Sequence, residues 1–130
     1  MIRFDLTRKV YLHREAVDFR KSINGLAALV EQGLALDPFA AALYVFRNQR
    51  RDRIKILGWE KNGYWLCMKR LEQDRFIWPQ QRGQKQAQKQ APAQETEVID
   101  MTVEQLHWLL AGVDIEAIKG HRERRYQRAS

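Results

Sequence analysis

The spacing of apolar residues along this chain changes period twice. Phe19, Ile23, Leu26, Ala27, Val30 and Leu34 recur at helical spacing, which predicts one amphipathic helix with Asp18 as its N-cap and Gly33 as its stop. Gly25 inside that helix costs about 1 kcal/mol relative to alanine. Its presence admits two readings, close approach of another backbone or simple tolerance. Ahead of the helix, Lys9-Val10-Tyr11-Leu12 reads as a short strand, and after it Asp37-Pro38 reads as a turn or a short helical start.

The period then becomes that of strands. Leu43–Arg47, Arg53–Glu60 and Tyr64–Leu71 are rich in β-branched and aromatic residues and are separated by turn residues. Asn62-Gly63 is a type I′ hairpin signal, because that turn needs positive φ at both central positions. Pairing across it sets Trp59 against Leu66, Leu57 against Met68 and Lys61 against Tyr64 on the expected core face. The opposite face carries Ile54, Ile56, Trp65, Cys67, Lys69 and Leu71. The same register opposes Lys55 to Arg70, an unfavourable like-charge pair unless both reach solvent or share an acidic group. Arg75–Trp78 reads as a further strand ended by Pro79.

From Gln80 to Glu97 the sequence QQRGQKQAQKQAPAQETE holds no aromatic and no aliphatic larger than alanine. Such a segment buries too little apolar surface to fold alone and reads as a flexible linker. An exposed helix ended by Pro92 is the alternative. Thr102-Val103-Glu104-Gln105 fits a capping box, Leu106, Leu109 and Leu110 supply an apolar stripe, and Gly112 fits the C′ position. A helix this short needs something to dock on, either the sheet or a partner. The expected division is a basic α+β domain at 1–79, a linker at 80–97, a helical segment at 98–118 and a basic tail at 119–130. The fold class is α+β: a small antiparallel sheet of four to five strands packed on an N-terminal helix, with a C-terminal helix after the linker.

Composition adds a polarity to this picture. Of 130 residues, 23 are Lys or Arg and 16 are Asp or Glu, giving a net charge of +7 and an isoelectric point near 9.9. Such a balance favours a polyanionic partner through long-range attraction and counterion release. The single cysteine, Cys67, excludes an intrachain disulfide and a cysteine zinc site. No signal-peptide pattern opens the sequence, and its longest apolar run, Phe39 to Phe46, is far too short to span a bilayer; the expected location is cytoplasmic.

Enzyme signatures are sparse. His13, His107 and His121 lack metal-ligand spacing, and no glycine-rich phosphate loop occurs. Cys67 lies mid-strand, where a buried inert thiol is the ordinary reading, although Lys69 and Arg70 nearby keep a reactive thiol open as an alternative. Asp5, Asp18, Asp37, Asp52 and Asp74 are scattered among basic residues and turns. No metal site, cofactor or catalytic residue is expected.

The informative chemistry lies in the middle of the chain. Seven aromatics (Tyr44, Phe46, Trp59, Tyr64, Trp65, Phe76 and Trp78) share residues 44–78 with nine basic residues. Guanidinium groups grip phosphates in bidentate fashion, and exposed rings can stack on bases. The competing reading has the rings filling the core while the charges face solvent. The run from Arg47 to Arg53 holds four arginines and one acid, which repel one another without a partner. The candidate nucleic-acid-binding residues are Arg47, Arg50, Arg51, Arg53, Lys55, Lys69, Arg70 and Arg75.

Three blocks carry a resemblance: DFRKSINGLAALV, then LDPFAAALYVFRNQRRDRIKILGWEKNGYWLCMKRLEQDRFIWP, and MTVEQLHWLLAGVDI. They resemble the TnpB-type accessory proteins of the sixty-six family of bacterial insertion sequences, a group distinct from the RNA-guided nucleases that share the TnpB name. The family pattern falls on Asp18, Arg20, Lys21, Gly25, Asp37, Pro38, Phe39, Trp59 and Trp78, and on Phe46, Arg47, Asp52, Arg53, Lys55, Lys69, Arg70, Leu71, Arg75, Phe76 and Pro79. Phe19, Asn24, Glu60 and Lys61 depart from it. The resemblance implies a role in transposition and DNA recombination beside a separate, larger transposase that carries the acidic catalytic triad; the expectation that this chain is non-catalytic rests on its lack of a credible acid cluster. Three readings follow: DNA binding at transposon ends or flanking duplex, an adapter contact to the transposase of the same element without DNA, and a small nuclease-like enzyme, which the missing acid cluster demotes. Oligomeric state is left open.

Overall fold

The computed structural model describes residues 4–79 and 97–117. Five strands form one sheet: β1 (Lys9–His13), β2 (Ala42–Arg47), β3 (Arg53–Glu60), β4 (Gly63–Arg70) and β5 (Val98–Met101), in the order β4-β3-β2-β1-β5. The expected α+β class holds. One pair, β1 with β2, runs parallel, so the sheet is mixed. The intervening helix makes the long crossover that a parallel pair requires.

That helix, α1 (Ile23–Ala28), widens into a π-helical turn over Leu29–Gly33. Gly33 ends it, as expected. The N-terminus is corrected: Ser22 is the N-cap, and Asp18 caps nothing in α1. Asp18 instead accepts the backbone N–H of Arg20 at 2.9 Å and pairs with the Arg20 guanidinium at 2.7 Å, closing a separate turn before the helix. An Asx turn and a guanidinium two residues away satisfy its carboxylate locally.

β2 is buried on both sides. Leu43 and Val45 point to one core with Val10, Leu12, Ile54, Ile56, Ile99 and Met101, over which α2 (Val103–Leu110) lays Leu106, Leu109 and Leu110. Ala42, Tyr44 and Phe46 point to the other with Leu57, Leu26 and Val30. The result is helix, sheet, helix in three layers. The expectation of a core on the Leu57 face alone is therefore corrected: docking of α2 turns the Ile54–Ile56 face into the larger core. Thr102 and Gln105 form the predicted capping box, the Thr102 hydroxyl accepting the Gln105 N–H at 3.1 Å and the Gln105 side chain accepting the Thr102 N–H at 2.9 Å. Gly112 follows at φ 85° in the left-handed region.

Val98–Met101 forms β5, which pairs antiparallel with β1 and joins the segment after residue 97 to the sheet. Residues 75–78 form no strand. Phe76 and Trp78 are buried all the same, with the Phe76 N–H donated to the Arg51 carbonyl at 2.7 Å and the Trp78 indole N–H to the His13 carbonyl at 3.0 Å. The expected linker before Glu97 and the basic tail lie outside the described residues.

The β3–β4 hairpin differs in register from the expectation. Lys61 and Asn62 are the turn residues, Gly63 pairs with Glu60, Leu57 with Leu66 and Trp59 with Tyr64. Lys61 adopts φ 53°, an unfavourable conformation for a side-chain-bearing residue. Ladder pairing over the full length of both strands overrides the Asn-Gly signal. The slip is two residues, so every side chain keeps its predicted face while changing its partner. Lys55 now faces Met68, and the like-charge pair is Arg53 with Arg70.

Candidate nucleic-acid interface

The loop between β2 and β3 is built around Asn48, whose side chain is buried. Its amide donates to Asp52 Oδ1 at 2.6 Å, and its carbonyl oxygen accepts the N–H groups of Asp52 and Arg53, each at 3.1 Å. Arg51 takes φ 61° at the loop's apex. The carbonyls of Arg51 and Asp52 accept the N–H groups of Phe76 and Leu71, fastening the 71–76 segment to this loop. The Asn48 hydrogen bond, with Arg53 and Arg50 adding attraction, holds the Asp52 carboxyl below its ordinary range. Asn48 was not among the predicted site residues. Its signal was the spacing Asn-x-x-x-Asp, in which a short amide can close a turn on a carboxylate.

The structure divides the eight predicted basic residues into two groups. Arg47 is half-buried: its guanidinium lies 5.6 Å from the centre of the Trp78 ring and reaches the carbonyls of Asn48 and Arg14. Burial lowers its pKa, with Glu15 opposing and Arg51 reinforcing that shift. Lys55 donates to the carbonyls of Phe19 and Lys21 at 2.8 and 2.7 Å and sits over the Phe19 ring. Lys69 donates to the Leu110 carbonyl at 2.7 Å. These three cations are spent on the protein's own backbone.

The remaining five gather at one end of the sheet. Arg53 opens β3 directly opposite Arg70, which ends β4. Arg50 and Arg51 belong to the adjoining loop, and Arg75 precedes the Phe76 that this loop anchors. Arg70 pairs with Glu72 at 2.8 Å on an exposed surface. A cleft of about 660 Å³ adjoins this end, lined by Lys69, Leu71, Asp74, Arg75, Ile77 and Leu110 among others.

The aromatic residues also divide. Tyr44, Phe46, Phe76 and Trp78 are core. Burial first, then Tyr11, Asp37 and Tyr64, pushes the Tyr44 phenol up to about 12, and its O–H donates to the Asp37 carbonyl at 2.6 Å. Trp59 and Tyr64 are half-exposed at the opposite end of the hairpin. Phe39, 55% exposed, meets the Trp59 ring edge-on at 4.8 Å and stacks near Tyr64 at 5.7 Å. The Asp37-Pro38-Phe39 turn thus places a ring against the hairpin. Arg20 lies on the surface with Asp18, and the carbonyl of Lys21 helps hold Lys55.

Cys67 is half-buried, and burial raises its thiol pKa, away from thiolate chemistry. Among the described residues no three His, Cys, Asp or Glu side chains stand together as a metal site, and no helix is long and apolar enough to cross a membrane.

The family model described as IS66 Orf2 like protein matches residues 8–120, and the chain belongs to this family of insertion-sequence-associated proteins. Two curated relatives come from Sinorhizobium fredii (strain NBRC 101917 / NGR234). The chain is similar to its uncharacterized protein y4jC, with 32% identity over 111 residues covering 85% of this chain and 84% of the relative. It is also similar to uncharacterized protein y4hO, with 29% identity over 106 residues covering 82% and 81%. No solved structure matches.

Proposed function

We propose that this protein is a non-catalytic accessory factor of insertion-sequence transposition that binds DNA through the arginine end of its sheet. The observation that carries the reading is the direct opposition of Arg53 and Arg70 beside Arg50, Arg51 and Arg75. Like charges opposed on a sheet destabilise it. Glu72 pairs directly with Arg70 on an exposed surface and Asp52 attracts Arg53 and Arg50, yet the five guanidinium groups still outnumber the acids beside them. A phosphate backbone relieves that repulsion, since each guanidinium can take two oxygens of one phosphate. The loop is pre-shaped by Asn48, so little ordering entropy opposes binding.

The test is fluorescence anisotropy of labelled duplex and single-stranded DNA over a salt series. Binding with a steep log–log salt slope is expected, because several phosphates are neutralised at once. Absence of binding at low salt overturns the reading.

A second reading rests on the exposed Phe39 ring beside Trp59 and Tyr64. Solvent-facing aromatics of this kind anchor protein interfaces. They suit an adapter contact to the element's transposase, at the end of the sheet remote from the arginines, and the two readings are compatible.

A further inference from the structure

We propose that the β4 edge pairs with β4 of a second copy, joining two five-stranded sheets into one. Among the described residues no strand covers the outer side of β4. The other edge is the four-residue β5, whereas β4 runs eight residues with no proline and unbroken pairing to β3 on its inner side. Natural edges are ordinarily shortened, bulged or interrupted by proline or charge. β4 carries its charges, Lys69 and Arg70, only at its end, and Met68 is 58% exposed.

Hydrogen-bond parity leaves a usable edge. In a two-residue hairpin the closing pair, here Glu60 with Gly63, exchanges hydrogen bonds, and so does every second pair after it. The amides of Tyr64, Leu66, Met68 and Arg70 therefore point away from β3.

The occupant follows from the order of residues along the strand. β4 begins with aromatics, Tyr64 and Trp65, and ends with cations, Lys69 and Arg70. Two identical strands paired antiparallel set the first half of one against the second half of the other. With Cys67 opposite its own copy, Arg70 meets Tyr64, Lys69 meets Trp65 and Met68 meets Leu66. Arg70 then faces a ring, the arrangement that cation–π attraction favours, while Lys69, its ammonium held by the Leu110 carbonyl, meets Trp65 through its methylene stem. Slipping the register until Lys69 or Arg70 faces itself opposes like charges. The sequence of β4 is thus complementary to its own reverse.

The test uses the full chain. Sedimentation velocity at tens of micromolar protein, with reductant, gives its mass in solution, and the expected mass is that of a dimer. Oxidation with diamide followed by a non-reducing denaturing gel reads the register, because Cys67 is the chain's single cysteine. Residues directly opposite at such a site bring their Cβ atoms within about 4.5–5.5 Å, close to disulfide reach. A rapid dimer band is expected. Met68→Pro removes an outward-facing amide, which an edge strand tolerates; it should give a monomer with unchanged near-ultraviolet circular dichroism and no crosslink. Met68→Lys, at an exposed position, should weaken the dimer without touching the backbone. A monomer across the whole concentration range overturns the proposal. So does a dimer that resists crosslinking at Cys67 or is indifferent to Met68→Pro.

Discussion

The ammonium of Lys69, on β4, lies 2.7 Å from the carbonyl oxygen of Leu110, the last residue of α2. A cation at that point satisfies one of the carbonyls a helix leaves unpaired at its C-terminus and meets the negative end of its dipole. The contact spans 41 residues of sequence and ties the C-terminal helix to the edge strand. Lys69→Met keeps much of the apolar stem and deletes the charge. It should cost about 1 kcal/mol, seen as a lower urea midpoint at unchanged slope. DNA affinity should change little beside the loss from Arg50→Ala plus Arg53→Ala, which should leave melting intact and flatten the log–log salt slope by roughly 2.

Trp59 separates what pattern alone suggests from what packing decides. On an expected core face its truncation would cost about 3–5 kcal/mol. In the structure it is half-exposed, bracketed by Phe39 and by Tyr64 at 4.9 Å. Trp59→Ala should therefore cost about 1–2 kcal/mol, the loss of partly buried area and two ring contacts. Thermal melting checks this, and Phe39→Ala should follow in the same direction with a smaller effect.

Much of the fold was legible because local signals agreed with one another. The stripe at Ile23, Leu26 and Val30, the capping residues Thr102 and Gln105, and the strand runs around Val45, Ile56 and Leu66 all lie in elements of the expected type. The failures share a cause: non-local pairing outvoted a local preference. Lys61 accepts a left-handed conformation so that Arg53–Glu60 and Gly63–Arg70 pair throughout. Asp18 has the chemistry of a cap, yet Arg20 gives it a nearer partner. β5 has four residues and is a strand because β1 offers it an edge. At the candidate site, arginine clustering was visible in sequence, but Lys55 and Lys69 were sorted from Arg53 and Arg70 only by carbonyls distant in sequence.

Gly25 illustrates how the structure resolves two readings left open by sequence. The three atoms nearest to a Cβ at that position all belong to the Lys21 side chain, its Cβ and Cγ at 3.2 Å, and none is backbone. A close side chain one turn back is what this glycine meets. Lys21 Cβ is fixed to a backbone whose carbonyl holds Lys55, so it can give little. Gly25→Ala should then gain less than the roughly 1 kcal/mol that helix propensity offers, the tight contact offsetting part or all of it. A melting temperature close to that of the wild type, with unchanged DNA affinity, is the expected pair of results.

Asn48 and Asp52 supply a pH dependence whose sign is fixed by the direction of one shift. The folded protein holds the Asp52 carboxyl below its ordinary value, chiefly through the Asn48 side chain. A group whose pKa is depressed on folding contributes stability that is complete above its unfolded pKa, about 3.9. That contribution disappears as pH falls from there through the lower folded value. The carboxylate is partly exposed, so the effect is modest and screened by salt. Urea midpoints followed from pH 6 down to pH 2.5 should fall in the wild type, and Asp52→Asn should fall less steeply over the acid part of that range. Asn48→Ala should behave differently. It removes a buried amide that serves three partners and strands the N–H groups of Asp52 and Arg53, costing about 2–3 kcal/mol at neutral pH and less in acid, where the Asp52 carboxyl is protonated. Loosening the loop should also weaken DNA binding, although no arginine has been changed. Equal affinity in Asn48→Ala and wild type, measured where both are folded, would remove loop pre-shaping from the account of how Arg50 and Arg53 meet phosphate.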